Sequence, residues 1–147
     1  MTMRFLRERI LTAAALLGIV GSLVAAGPAR AAPSVLNLSQ VNETTNRTTP
    51  VGQYTTKFGV TIELRAGWYQ GFQYGWARVS ASSRWRADDV IWLRIYRNGS
   101  REFVHGTRND GSQTSTHTFG QITLADPNYR FSACLQRGND YDCTAEW

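Results

Sequence analysis

The chain has 147 residues, 16 of them basic and 11 acidic, and its formal net charge at pH 7 is +5. Residues 1–31 hold four of the basic residues and one acidic residue, so the remaining 116 carry 12 basic and 10 acidic residues, a net charge of +2. So small an excess provides no basic face for a polyanion, which excludes nucleic acid as the expected partner. The length beyond residue 31 suits one domain with its own core.

Residues 1–31 have the pattern of a secretory signal peptide. Three arginines precede an apolar stretch over 10–26, and the small residues Ala29 and Ala31 mark a cleavage site before Ala32. No later stretch approaches the ~20 apolar residues that span a bilayer. We therefore expect a secreted, extracellular protein that has no membrane segment after signal cleavage.

Cys134 and Cys143 are the only cysteines of the chain. In the oxidising environment of an exported protein, an even pair predicts one disulfide bond. No histidine or further cysteine stands near them at zinc-ligand spacing. We therefore expect neither a metal site nor a cofactor.

Residues 32–56 form a polar stretch rich in Asn and Thr that contains Pro50 and Gly52. Its few aliphatic residues lie near its start. This composition predicts a polar N-terminal arm with a short first strand at most, followed by a folded domain over 57–147.

Beyond the arm, apolar and polar residues alternate with a period of two, the pattern of half-buried strands. The clearest case is 90–97, where Ile91, Leu93 and Ile95 share one face. Asn98-Gly99 follows it and fits a type I′ hairpin turn, because both central positions of that turn need positive φ. The other predicted strands cover 60–66, 74–80, 100–104, 114–122 and 129–136, with a last hairpin that turns over 138–140.

Six to eight short strands, with no helical period outside the signal peptide, predict an all-β fold. We expect an antiparallel β-sandwich of immunoglobulin-like or Greek-key type. The disulfide would then join the two strands of the C-terminal hairpin, because a non-hydrogen-bonded cross-strand pair brings Cβ atoms within bonding range.

Leu124 to Tyr129, followed by Phe131 and Ala133, resembles the tyrosine corner of immunoglobulin-like and fibronectin type III sandwiches, in which the Tyr hydroxyl bonds to an upstream backbone group. Over 60–147 the chain is similar to small secreted β-domain proteins of actinobacteria that have no assigned function. The segments that carry this similarity are 73–78, 89–93, 129–134 and 143–147. The resemblance implies an exported β-domain and brings no catalytic residues.

Aromatic residues are the first candidates for a site. Trp68, Tyr69 and Trp85 lie in segments that look like turns, where an exposed aromatic ring can stack on a sugar. Packing is the alternative role for each of them. For Trp76 we expect a place in the core, and for Trp92 both roles stay open.

Arg84 and Arg86 flank Trp85 and could hold an anionic partner. The alternative is a solvated loop in which Asp88 and Asp89 neutralise the two arginines. These adjacent carboxylates are poorly arranged for calcium, since neighbouring side chains at the start of a strand point apart.

His105 and His117 could serve a hydrolase, which needs a base, a nucleophile and an orienting group in contact. No catalytic motif accompanies either residue. Surface positions on strands are the simpler expectation.

These observations favour an exported, non-enzymatic binding protein whose ligand is a polysaccharide or cell-wall glycan. The second hypothesis is a secreted inhibitor or antagonist that presents loop 97–100 or loop 137–141 to a protein. A small secreted hydrolase is the third.

Overall fold

The computed structural model describes residues 31–147, and the predicted signal peptide lies outside them except for Ala31. These residues form two antiparallel sheets packed as a β-sandwich, with one short helix. The all-β sandwich prediction is therefore confirmed. The elements are β1 Val35–Leu36, α1 Leu38–Asn42, β2 Thr45–Thr48, β3 Gln53–Thr55, β4 Thr61–Tyr69, β5 Phe72–Val79, β6 Val90–Arg97, β7 Ser100–Arg108, β8 Thr116–His117, β9 Gly120–Ile122, β10 Tyr129–Arg137 and β11 Asp140–Cys143.

The first sheet has seven strands and the second has four. In the first, the order is β1-β9-β5-β4-β2, with β3 paired to β4 and β8 paired to β5. In the second, the order is β11-β10-β6-β7. The hairpin between β6 and β7 turns at Asn98 and Gly99, both of which have positive φ as predicted.

The main core lies between the sheets and is formed by every second side chain of the long strands. Ile91, Leu93 and Ile95 of β6 are buried on the predicted face. They meet Ile62 and Leu64 of β4 in the same cluster. Because successive side chains of a strand point to opposite faces, Glu63 and Arg65 lie on the outer face of the seven-stranded sheet.

A second, smaller cluster covers that outer face. Leu36 of β1 and Val41 of α1 pack there with Tyr74 and Trp76 of β5. The Tyr74 hydroxyl donates a hydrogen bond of 2.8 Å to the carbonyl oxygen of Pro33. The polar arm therefore contributes to the seven-stranded sheet and packs across its outer face.

Residues 31–147 contain eleven strands, more than the six to eight predicted, and a helix that was not predicted. The additional strands are two to four residues long, too short for alternation to reveal. The helix has only five residues and is N-capped by Asn37, whose side chain forms a reciprocal capping box with Gln40. None of the helices in this part of the chain is long and apolar enough to cross a membrane.

The disulfide prediction is confirmed. Cys134 of β10 and Cys143 of β11 face each other in register and are bonded, with their Cα atoms 4.0 Å apart. The bond joins the two strands of the last hairpin. The β11 edge of the four-stranded sheet is therefore fixed covalently.

Candidate binding groove

An open groove of about 690 Å³ lies where the ends of the two sheets meet. Strands β4 and β5 supply one wall, and the start of β10 with the segment 123–127 supplies the other. Four of its large apolar side chains are half exposed, and they are Trp68, Phe72, Leu124 and Trp147. Two more aromatic lining residues, Tyr129 and Phe131, are buried. We call this feature the aromatic groove.

The β4–β5 hairpin positions two of the lining side chains. Its turn is made by Gln70 and Gly71, both with positive φ, which reverses the chain in two residues. Trp68 therefore stands directly across from Gln73 in the register of the two strands. An indole ring and an amide group are thus neighbours on one wall.

Trp147 reaches the groove through backbone pairing with β10. Its N–H and carbonyl group exchange hydrogen bonds of 2.9 and 2.8 Å with the backbone of Phe131. The two aromatic rings lie 6.5 Å apart. Pairing with β10 thus places the indole of Trp147 in the groove that Trp68 also lines.

Few charged groups border the groove. Asp126 and Arg130 are its only charged lining residues among 31–147. The Arg130 guanidinium stacks over Tyr96, 4.3 Å from the ring centroid, and lies 3.5 Å from Glu146. Burial raises the pKa of Tyr129, which therefore stays neutral at physiological pH. The two charged side chains of the lining, Asp126 and Arg130, carry opposite charges.

The predicted aromatic residues lie in different environments in the structure. Trp68 lies in the groove with 44% of its surface exposed. Tyr69 is half buried and packs edge-on against Tyr74, with 6.5 Å between ring centroids, beside the outer cluster. Trp76 is buried, as expected. Trp68 is thus the only predicted ligand residue that lines the groove.

The prediction of an exposed Trp85 is wrong. Its side chain is 4% exposed and belongs to the core between the sheets. The segment 80–89 does lack helix and strand, but its indole packs inward against the core. A buried ring cannot stack on a ligand, so Trp85 is a packing residue.

Arg84 and Arg86 are exposed but lie outside the groove. Their loop is held by Asp89, whose buried carboxylate accepts a hydrogen bond from the Arg86 backbone N–H at 2.9 Å. The same carboxylate accepts two hydrogen bonds from the Arg137 guanidinium, from Nε at 2.8 Å and from a terminal nitrogen at 2.6 Å. Asp88 points instead to solvent and Arg108. The two aspartates thus diverge, as predicted.

The histidines lie on different strands. His105 Nε2 is 3.1 Å from Gln121 Oε1, and the His117 ring contacts Asn42 and the carbonyl of Thr118. Within residues 31–147 neither ring is hydrogen-bonded to a carboxylate or a serine hydroxyl. The same residues hold no group of three or more His, Cys, Asp or Glu side chains placed to bind a metal ion.

The remaining groove residues were not predicted as site residues. Phe72, Leu124 and Trp147 come from three separate parts of the sequence. The signal that could have indicated Phe72 is its place in the aromatic run 68–76. No local pattern indicates Leu124 or Trp147, because strand pairing brings them together. No family model, curated protein or solved structure matches this chain.

Proposed function

We propose that the protein binds a neutral glycan in the aromatic groove and acts as a secreted, non-enzymatic binding protein. The observation that carries this proposal is the convergence of two half-exposed tryptophans and a phenylalanine in one open groove. Half-exposed aromatic rings concentrated in a concave surface are characteristic of ligand sites.

The chemistry of the groove fits a sugar. Tryptophan rings stack on the apolar C–H face of a pyranose, while polar groups at the rim bind its hydroxyls. Gln73 and Thr123 supply such groups and are joined to each other, with Thr123 Oγ1 3.2 Å from Gln73 Oε1. The near-neutral lining avoids the cost of desolvating charges, which favours an uncharged ligand.

The size of the groove agrees with a small ligand. A volume of about 690 Å³ lies within the range of roughly 300–1,000 Å³ found for small-molecule sites. The groove is open rather than enclosed, so a longer chain can extend past it. A few sugar units of a polysaccharide are therefore the expected occupant.

The test is retention of the purified protein on insoluble polysaccharides and peptidoglycan. Trp68→Ala and Trp147→Ala each remove an exposed ring from the groove. Phe103→Ala is the matched control, because Phe103 is 43% exposed and lies on the other sheet. We expect both groove variants to lose retention and the control to keep it, with thermal melting confirming that all three are folded.

Retention that is unaffected by both groove variants, or absent on every matrix, would refute the proposal. Loss only in Phe103→Ala would move the site to the four-stranded sheet. There Phe103 and Tyr141 lie 5.5 Å apart on an exposed surface beside Trp92. That aromatic surface supports the second candidate function, binding of a secreted protein partner.

The loops considered for an inhibitor are short. Residues 98–99 join β6 to β7, and residues 138–139 join β10 to β11. Both are two-residue hairpin turns with exposed residues. The aromatic surface of Phe103 and Tyr141 is therefore the proposed contact for a partner protein, rather than either loop.

A further inference from the structure

A cluster of basic side chains surrounds a second cavity, on the outer face of the seven-stranded sheet. The cavity measures about 410 Å³. Arg47 of β2, Arg65 of β4 and Arg78 of β5 all line it, together with His117 of β8. Three guanidinium groups from three different strands thus face one space, which we call the basic cavity.

Its positive charge is only partly neutralised. Glu63 is the one carboxylate paired with these arginines within residues 31–147; its Oε2 lies 3.1 Å from Arg65 and 3.4 Å from Arg78. Its Oε1 accepts hydrogen bonds from Gln53 and Ser80. One carboxylate balances one guanidinium, so two of the three positive charges remain.

Glu63 is ionised under physiological conditions. Burial by itself would raise the pKa of this carboxyl, but hydrogen bonds from Gln53, Ser80 and Arg65 and the charge of Arg78 lower the pKa overall. Its acceptor sites are occupied by these four partners. The remaining positive charge of the arginines therefore favours the binding of an anion in the cavity.

Arg47 is held in place without a carboxylate. Its Nε bonds the carbonyl and the hydroxyl of Thr44, both at 3.0 Å, and one terminal nitrogen reaches the carbonyls of Val41 and Asn42. No ion pair of Arg47 occurs among the described residues. Because an arginine carries five donor hydrogens, the other terminal nitrogen is left to bind a ligand.

We propose that the basic cavity binds a tetrahedral oxyanion, a phosphate or sulfate group carried by a small molecule or a glycan. One arginine satisfies a flat carboxylate through two parallel hydrogen bonds. Three guanidinium groups arriving from different strands suit a group that has several acceptor oxygens in different directions. The hydroxyls of Ser115 and Thr116 add donors at the rim.

The proposal does not depend on the aromatic groove. None of the residues lining the basic cavity also lines the groove. The two sites lie on different surfaces, since the cavity is formed on the outer face and the groove at the meeting of the two sheets. The two proposals can therefore fail separately.

The experiment titrates inorganic phosphate into the purified protein at fixed pH and ionic strength, with chloride as the balancing anion. The chain contains only two histidines, so their Cε1 ring protons give two NMR signals. We expect the His117 signal to shift saturably with phosphate. The His105 signal, from outside the cavity, should stay in place. Movement of both signals together, or of neither, would overturn the proposal.

Two variants and one control complete the test. Arg78→Gln and Arg47→Gln should each weaken phosphate binding about tenfold or more, since each removes a charged hydrogen-bond donor. Arg86→Gln makes the same charge change at an exposed residue outside the cavity and should bind like the wild type. Unchanged binding in both cavity variants would refute the site.

Two further titrations define the ligand class. Sulfate should replace phosphate with comparable affinity, whereas acetate should bind far more weakly. Acetate binding as tight as phosphate would contradict the tetrahedral preference. If one variant fails to fold, the other and the His117 signal still decide the outcome. Trp68→Ala should leave phosphate binding unchanged, which separates this site from the glycan proposal.

Discussion

The buried ion pair between Asp89 and Arg137 allows a direct test of how the loop 84–89 is held on the sandwich. The Asp89 side chain is 2% exposed and that of Arg137 is 24% exposed. Replacing Asp89 by Asn keeps the shape of the side chain and removes its charge. The guanidinium then faces an amide whose N–H₂ group cannot accept its hydrogen bonds.

The expected cost follows from this geometry. Removing one partner of a buried ion pair costs about 3–5 kcal/mol, because the remaining charge is left without compensation. Arg137 retains some solvent and a hydrogen bond of 2.8 Å to the Arg84 carbonyl. The lower end of the range therefore applies, and about 3 kcal/mol corresponds to a melting temperature lower by roughly 12 °C for a domain of this size.

Asp88 supplies the matched control. Its side chain is 83% exposed and contacts Arg108, itself 67% exposed, at 3.2 Å. A surface pair of this kind contributes at most about 1 kcal/mol. Asp88 also has a φ of +70°, which asparagine tolerates well. Asp88→Asn should therefore leave the free energy of unfolding nearly unchanged.

The assay is urea unfolding followed by tryptophan fluorescence, with calorimetry for the melting temperature. We expect Asp89→Asn to lower the denaturation midpoint without a change in the m-value. Equal effects of Asp88→Asn and Asp89→Asn, or a loss below about 1 kcal/mol for Asp89→Asn, would refute the reasoning from burial.

Three further predictions concern stability. Replacing both Cys134 and Cys143 by Ala should lower the free energy of unfolding by about 2.7 kcal/mol, the loop-closure value for this short loop, and reduction of the wild type should have a similar effect in the same urea assay. Trp85→Ala should lower the free energy of unfolding by about 3–5 kcal/mol. Trp85→Phe should lower it much less, because this change also removes a buried indole N–H that has no partner among the described residues. Equal losses of stability in calorimetry would contradict this. The folded-state pKa of Glu63 lies below its unfolded value, so the stabilisation from this carboxylate is present above the unfolded pKa and is lost as pH falls through the folded pKa. The melting temperature of the wild type, measured against pH, should show this loss. Glu63→Gln lacks the carboxylate and should show a smaller fall in melting temperature on acidification.

The sequence predicts the long strands well because alternation along a strand is a local property. The predicted segment 90–97 coincides with β6, and the predicted strand 129–136 with nearly all of β10. The Thr-rich stretch 114–122 was predicted as one strand but forms β8 and β9 with a break at Thr118 and Phe119. Thr118 is buried there and donates its backbone N–H to the carbonyl of Ala77. A tertiary contact of this kind leaves no local signature.

The candidate site depends more strongly on tertiary structure. Trp68 and Trp85 look alike in sequence, since both stand beside polar or small residues near a change of direction. Only the packing of the segment 80–89 makes Trp85 a core residue and leaves Trp68 in the groove. The resemblance to a tyrosine corner implied that the Tyr129 hydroxyl bonds an upstream backbone group. Among the described residues, the tyrosine hydroxyl that bonds an upstream backbone carbonyl is that of Tyr74.

The pairing of β1 with β9 has a consequence for the order of folding. Val35 pairs with Gln121, so β1 can find its partner strand only after most of residues 31–147 have been synthesised. Closing so long a loop costs chain entropy before any contact compensates for it, which makes such contacts slow to form. The β4–β5 and β6–β7 hairpins close locally and can form first. We therefore expect β1 to dock last and its amide hydrogens to exchange with solvent sooner than those of β6.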